Sequence, residues 1–440
     1  MPLPLEQPNT LAAWLSLLES RNREAIVLGL ERVALLRDRL GLTLTCPIIT
    51  VGGTNGKGSV CAYLEAILTA AGYRVGCYTS PHLLRYNERV HLAGREATDA
   101  ELCLALAAVE NARFVAGEDA IPLTYFEQGT LAALWLFQRA ALDVVILEVG
   151  LGGRLDAVNV WDADCALVVS VDLDHQQFLG DTREAIGFEK AGIFRAQRPA
   201  ICGDLDPPAS LLAHAAAIGA ELYRMGQAIQ VDVTESDWTC RVDLPAERYI
   251  YPALPRLAMP GRHQYNNAAC ALAALATLRS RLPVDVKALR AGLLTARQPG
   301  RFQVVGQQPL CILDVAHNPH AARALGECLA DSASGSRGGG KVIAVCAMLA
   351  DKDVAAVVQA VQPYIQHWHV AGLNLPRGLG AAAIAAILQA VGAEHDRHCT
   401  VQEAWRAACL QAQPADTIVV FGSFHTVADV MSELSGGNLS

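Results

Sequence analysis

A glycine-rich run, Gly52-Gly53-Thr54-Asn55-Gly56-Lys57-Gly58-Ser59, follows the apolar stretch Ile48–Val51 and opens a helical pattern. Glycines let a backbone fold tightly enough for consecutive N–H groups to face one anion, and a helix N-terminus adds partial positive charge. Lys57 is placed to reach β- and γ-phosphates, and Ser59 offers a hydroxyl to Mg²⁺. The strict Walker A spacing is not met: Val51 stands where its first glycine belongs, and Gly58 separates Lys57 from Ser59. The bland alternative is a structural turn with a solvated lysine.

Two further residues fit phosphate chemistry. Glu148 closes the apolar run Asp143–Val149 and precedes a glycine-rich turn. A carboxylate at the carboxyl end of a parallel strand is well placed to hold Mg²⁺, and its alternative role is that of a loop or capping carboxylate. His175 follows another strand-like run. Imidazole is an unusual Mg²⁺ ligand, so chemistry alone favours a hydrogen-bonding role.

These residues need a scaffold. Leu11–Leu40 carries apolar residues at helical spacing, interrupted near Asn22, which predicts two helices. Strands are predicted at Pro47–Val51, Arg74–Tyr78, Asp143–Val149 and Ala166–Val171, with helices at Ser59–Ala71 and Thr124–Ala141. Their alternation argues for a mostly parallel sheet. Tyr223–Tyr251 alternates polar and apolar residues and predicts a small antiparallel patch. His263–Arg281 reads as helix again. After Gln298-Pro299-Gly300, fresh βα units begin at Leu310–Asp314, Lys341–Cys346, His367–Ala371 and Thr417–Phe421. The expectation is an α/β protein in two parts. Residues 1–298 form an N-terminal P-loop ATPase-type domain with a mostly parallel sheet plus an antiparallel patch. Residues 299–440 form a C-terminal Rossmann-like α/β domain. Ser332–Gly340 reads as a flexible loop and Gly380–Ala390 as a buried helix.

Composition narrows the function classes. Hydrophobic residues make up 52% and charged residues 18%, which excludes a disordered chain and supplies two cores. The net charge of −9 argues against an electrostatic nucleic-acid partner, so an anionic substrate must meet local positive charge. The 13 cysteines are scattered, several inside apolar runs (Cys165, Cys270, Cys346), as reduced buried thiols rather than a disulfide framework. Met1–Gln7 lacks a basic patch followed by an apolar stretch, so no signal peptide is expected. No apolar run reaches the roughly 18 residues of a membrane span. A cytoplasmic, monomeric protein with no membrane partner is expected.

The loop Gly-Thr-Asn-Gly-Lys-Gly-Ser resembles the phosphate loop of the Mur ligase superfamily, and of folylpolyglutamate synthases in particular. The similarity continues in family order through Ser80-Pro81-His82-Leu83, Leu147–Ala157, Asp174-His175, Leu179-Gly180 and Glu189–Ile193. It extends to Pro299-Gly300-Arg301, Asp314–Pro319 and Gly422-Ser423-Phe424-His425. Leu123–Glu127 resembles the pteroate-contacting stretch of bifunctional members, which carry dihydrofolate synthase and folylpolyglutamate synthase activities. The pattern departs at Val27, where relatives often carry an aspartate associated with the pterin pocket.

The resemblance implies an ATP-dependent ligase. ATP would phosphorylate a carboxylate of dihydropteroate or a reduced folate, and the amine of L-glutamate would displace phosphate. Catalysis would then rest on positioning and on neutralising charge. Implied catalytic residues are Lys57, Glu148, His175, Lys190 and His317. ATP would be bound by Thr54, Asn55, Gly56, Lys57, Gly58, Ser59, Asn267, Arg301 and Asp314. Two Mg²⁺ ions would be held by Ser59, Ser80, Glu148 and His175. Lys190 would be carbamylated by CO₂, against the alternatives of contacting phosphate or pairing with Glu189. The folate-type acceptor would contact Leu28, Gly29, Thr124, Tyr125, Phe126, Glu127, Leu155, Asp156 and Ala157. Arg154 would meet an anionic substrate or form a loop salt bridge. The second domain should close over the nucleotide. A muramyl-peptide ligase is the nearest rival, but only about fifty residues precede the loop, too few for its uridine-nucleotide domain. A switch or motor ATPase would show no dependence on glutamate.

Overall fold

The computed structural model describes residues 7–21, 26–114, 119–335 and 340–436. The chain divides into two compact units. The first comprises residues up to His82, Tyr86–Ala258 and Asn266–Ala296. The second comprises Leu83–Arg85, Met259–Tyr265 and Arg297 onward.

The first unit holds strands β1 (Ile48–Gly52), β2 (Val75–Tyr78), β3 (Val90–Leu92), β4 (Arg95–Glu96), β5 (Val144–Glu148), β6 (Cys165–Val168), β7 (Pro199–Cys202) and β8 (Glu221–Arg224). They form one sheet in the order β4-β3-β2-β5-β1-β6-β7-β8. It is parallel from β2 to β8, with β3 and β4 antiparallel at one edge. Every residue of β1 and β5 is buried, as continuous apolar strands covered on both faces should be. A separate antiparallel sheet of β9 (Ile229–Val233), β10 (Trp238–Asp243) and β11 (Arg248–Leu254) buries Trp238, Cys240 and Val242 on one face, the period-2 alternation the sequence shows. The expected antiparallel patch is therefore real but starts later. Tyr223 lies in β8 and pairs parallel with β7, and the chain turns at Gly226 before β9 begins the second sheet.

Helices of this unit are α1 (Leu11–Arg21), α2 (Glu31–Arg39), α3 (Lys57–Ala70), α4 (Asp99–Ala112), α5 (Tyr125–Arg139), α6 (Gln176–Leu179), α7 (Arg183–Ala191), α8 (Ala209–Ile218), α9 (Arg262–Thr277, whose first turn groups with the second unit) and α10 (Val286–Thr295). The interruption near Asn22 falls between α1 and α2, and residues 22–25 lie outside those described. α4 and α5 both start with a capping box, Thr98/Glu101 and Thr124/Glu127, which satisfies two orphan helix N–H groups each time.

The second unit has β12 (Gln303–Gln307), β13 (Leu310–Leu313), β14 (Val342–Cys346), β15 (His367–Ala371), β16 (His395–His398) and β17 (Thr417–Phe421), ordered β12-β13-β17-β14-β15-β16. Only β12 is antiparallel. Helices α11 (Pro319–Gly335), α12 (Val354–Val361), α13 (Ala381–Ala390), α14 (Val401–Gln411) and α15 (Phe424–Gly436) supply two apolar clusters. α11 runs through Gly335, so the expected loop from Ser332 is helical over its first residues, and 336–339 lie outside the described residues.

Candidate active site

β1 delivers the glycine-rich loop into α3, whose N-cap, Gly56, has φ 85°. A Cβ at Gly56 would lie 2.7 Å from Asn267 Oδ1 and 2.8 Å from Val169 Cγ1, so only glycine fits and Asn267 is seated against the loop. The loop is tied to the segment after β6. Thr54 N–H donates to Ser170 O (2.8 Å), Asn55 N–H to Ser170 Oγ (3.0 Å), and Asp172 N–H to Thr54 Oγ1 (3.0 Å). Lys57 Nζ curls back to the carbonyls of Gly53 (3.0 Å) and Thr54 (3.3 Å), holding the ammonium over the loop. Ser59 is buried in the first turn of α3.

Glu148 pairs in register with Val51 on β1, so its carboxylate ends the strand next to the one that feeds the loop. Ser80 N–H donates to Glu148 Oε2 at 2.9 Å, which puts a hydroxyl-bearing residue beside that carboxylate. His175 precedes α6 in a left-handed conformation (φ 51°), and its N–H donates to Asp174 Oδ1 at 2.9 Å. Lys190, near the end of α7, is only 4% exposed. Burial first, then the positive charge of Lys57, pushes its amine down to about 7, with Asp174 and Asp156 opposing. Glu189 is not its counter-ion. Glu189 binds Arg154 (2.8 Å), the loop salt bridge weighed above for that arginine.

The three stretches assigned to the acceptor come together. Gly29 N–H reaches Leu155 O at 3.4 Å, and Arg32 of α2 bonds Glu127 Oε1 on α5 at 2.7 Å. Phe126 lies against the turn after Glu148, where a Cβ on Gly150 would sit 2.6 Å from its ring. Tyr78 is its ring partner at 5.9 Å. Tyr125 instead meets Tyr86 edge-on at 5.9 Å, with the Arg89 guanidinium 5.6 Å above its ring. The polar groups of Thr124 and Glu127 serve the helix cap: Glu127 N–H donates to Thr124 Oγ1 (3.2 Å) and Thr124 N–H to Glu127 Oε2 (2.7 Å). Asp156, 4% exposed, braces the glycine-rich turn by accepting from Leu151 N–H (2.8 Å) and Val158 N–H (3.1 Å). Burial raises its carboxyl to about 6 against those bonds. Ala157 follows it in a buried 3₁₀ turn, and Leu28 precedes Gly29 at the entry to α2.

In the second unit, Asp314 follows β13, and its carboxylate accepts from Phe302 N–H and Ala316 N–H, both at 2.8 Å. Desolvation raises its pKa, with the nearby Arg301 charge opposing. His317 Nδ1–H donates to Val315 O (2.7 Å), which fixes the orientation of its ring. Phe424 opens α15 after β17 and meets both the Arg301 guanidinium (5.7 Å) and the His317 ring (6.2 Å). Arg301, Asp314 and His317 thus gather at the carboxyl ends of the adjacent parallel strands β13 and β17, where open α/β sheets bind ligands.

A model of the Mur ligase middle domain matches residues 51–275, and one of the Mur ligase glutamate ligase domain matches residues 300–424. The dihydrofolate synthase/folylpolyglutamate synthase of Escherichia coli (strain K12) is 47% identical over 432 residues, covering 97% of each chain. The chain belongs to the dihydrofolate synthase/folylpolyglutamate synthase family. Two solved members of that family align over its length. The Escherichia coli protein in complex with DHPP and ADP has a TM-score of 0.90 at 45% identity, covering 98% of this chain and 99% of that one. The Yersinia pestis bifunctional enzyme complexed with AMPPNP and Mn ion has a TM-score of 0.89 at 47% identity, covering 98% and 100%.

For this member of the dihydrofolate synthase/folylpolyglutamate synthase family, sequence reasoning missed Tyr78, Tyr86 and Arg89, which lie against the rings of Tyr125 and Phe126, and Arg32, which pairs with Glu127. Nothing in their local sequence marks them. They reach the site by strand pairing and by the packing of α2 on α5.

Proposed function

We propose that the chain is an ATP-dependent ligase that adds L-glutamate to dihydropteroate, forming dihydrofolate, and to reduced folates, forming folylpolyglutamates. The observation that carries this reading is the full-length similarity, 47% identity over 97% of both chains, to an enzyme named for both activities. The site supplies the physical means. The acceptor carboxylate attacks the γ-phosphorus of ATP, giving an acyl phosphate and ADP. The glutamate amine then attacks the acyl carbon, phosphate leaves, and the amine loses a proton. Lys57 and the N–H groups of its loop hold the phosphates in line.

The donor set of Ser59, Ser80 and Glu148 suits Mg²⁺, which prefers oxygen, and the Ser80–Glu148 bond already joins two of the three. With His175 they would hold two ions, whose chemistry is to neutralise charge developing on the transferred phosphoryl group. Lys190 has what carbamylation needs: an amine that sheds its proton near neutrality. Its nitrogen adds to CO₂ and releases a proton, leaving a carboxylate-like group in place of an ammonium. Tyr125 and Phe126 offer aromatic surface to a flat pterin, with Leu28, Gly29, Leu155 and Ala157 nearby. Arg301, Asp314 and His317 serve the nucleotide: the arginine its phosphates, the aspartate a ribose hydroxyl.

The described cysteines are all free, as in a reducing compartment, and among the described residues no helix is long and apolar enough to cross a membrane; we place the protein in the cytoplasm, as a monomer acting on small molecules. Purified protein with ATP, L-glutamate and either dihydropteroate or a reduced folate tests the reading. Phosphate release should require both glutamate and the acceptor. ATP hydrolysis indifferent to both would refute it.

A further inference from the structure

The edge of the second unit's sheet carries imidazoles that the ligase chemistry does not use. β15 reads His367-Trp368-His369 and β16 reads His395-Asp396-Arg397-His398. The strands pair parallel with His369 opposite Asp396, so alternation puts His367, His369, Asp396 and His398 on one face. Trp368 goes to the other face, into the opposite core cluster. The donor atoms of His367, His369 and Asp396 all lie within 4.8 Å of one another. His398 Nε2 is 2.9 Å from His369 Nδ1, and His367 Nε2 is 3.0 Å from Asp396 Oδ2.

We propose that His367, His369, Asp396 and His398 form a binding site for one divalent transition-metal ion of the zinc class, built wholly within the C-terminal unit.

Two features point to a cation rather than to a hydrogen-bonded cluster alone. His369 is 3% exposed, and Gln411 Oε1 accepts from its Nε2–H at 2.6 Å. That bond fixes the tautomer and leaves Nδ1, which faces His398 Nε2, as the ring's acceptor nitrogen, the outer support that metal-ligating histidines usually have. Three imidazoles and one carboxylate make a four-donor set rich in nitrogen, which favours tetrahedral Zn²⁺ over Mg²⁺ and leaves no position open for substrate. The short His369–His398 contact has only to widen by a few tenths of an ångström for an ion to sit between the rings. A bound ion would pin the edge strand β16 to β15, which Gln411 ties to the end of α14, so its effect is on stability rather than on chemistry.

The test is a Zn²⁺ titration of the tag-free full chain, stripped with chelator and held in excess Mg²⁺ without nucleotide. Calorimetry should find one ion per chain. Asp396→Asn and His398→Ala, both at solvent-accessible positions, should each weaken binding by about 100-fold or more. His395→Ala, on the opposite face of the same strand, should not. Co²⁺ should give visible d–d absorption with the parent and lose it in the two variants. Zn²⁺ should raise the melting temperature of the parent and of His395→Ala, but not of Asp396→Asn or His398→Ala. Melting curves without metal show that the variants are folded. No saturable Zn²⁺ binding by the parent, or binding unchanged in both variants, would overturn the proposal.

Discussion

Arg154 donates two hydrogen bonds to one carboxylate oxygen of Glu189, from Nε at 3.2 Å and Nη2 at 2.8 Å. The carboxylate next to Lys190 in sequence is thereby engaged elsewhere. Lys190 is left buried within the field of Lys57, and these two effects lower its pKa to about 7. A surface lysine would be almost wholly protonated at neutral pH, whereas an amine whose pKa is lowered to about 7 is in large part neutral there, the form that carbamylation requires.

Carbamylation should therefore titrate near neutrality. ¹³C NMR of protein in ¹³CO₂-bicarbonate should show one slow-exchanging carbamate signal that grows as pH rises through about 7 and is missing in Lys190→Ala. That variant should be nearly inactive and partly rescued by acetate. Linkage gives an independent check in CO₂-free buffer. Between about 7 and 10.5 the unfolded chain holds a proton that the folded chain has lost, so this group makes stability rise with pH across that window. Below it the full cost of the buried ammonium remains. Lys190→Met should be more stable than the parent at pH 6, by a margin that shrinks as pH rises. A constant margin would show that Lys190 does not titrate there.

Lys57→Ala and Glu148→Gln address phosphoryl transfer. Gln keeps an oxygen to accept from Ser80 N–H, so the fold around β5 should survive. Removing one preorganised electrostatic element typically costs about 10²–10³ in rate. Both variants should lose at least that in kcat, and Glu148→Gln should also need more Mg²⁺ for half-maximal activity. Near-parental turnover in either would remove that residue from the site.

Phe126 and Thr124 should separate binding from stability. The Phe126 ring occupies the space above Gly150, so Phe126→Ala should raise KM for dihydropteroate more than KM for a reduced folate. Gly150→Ala would push the ring away and should do the same. Thr124 is the N-cap of α5, so Thr124→Ala should destabilise by about 1 kcal/mol, read in urea melts. Equal KM effects on both acceptors would argue against a dedicated pteroate pocket.

The central strands were legible because β1 and β5 are apolar runs, interrupted only by Thr50, and are ended by residues of marked chemistry, Gly52 and Glu148. The edges were not. β16 reads His-Asp-Arg-His and β12 Gln-Val-Val-Gly-Gln, and neither has a pattern that survives without a neighbouring strand. The two-residue β4 is shorter still. The glycine-rich loop and Glu148 stood out because glycine and a carboxylate are conspicuous at strand ends. Arg89 and Tyr86 did not, because their place beside Tyr125 depends on β3 pairing with β2. Asp156 was read as an acceptor contact on the strength of its motif; its second role, bracing the turn through the N–H groups of Leu151 and Val158, has no local sequence signal.

Arg301 and Asp314 make the last test, because one presents its charge and the other supports backbone. Arg301 rests on the Phe424 ring. Arg301→Ala should leave the fold intact and raise KM for ATP by about tenfold or more, as losing a charge-assisted phosphate contact worth about 1.5–3 kcal/mol predicts. Asp314 accepts from the N–H groups of Phe302 and Ala316, which bind the start of β12 to the turn after β13. Asp314→Asn replaces one acceptor with a donor facing an N–H, so it should lower the melting temperature as well as weaken ATP binding. If Asp314→Asn weakened ATP binding with no loss of stability, the bracing role would be wrong. If it lost stability and bound ATP as the parent does, the ribose contact would be wrong.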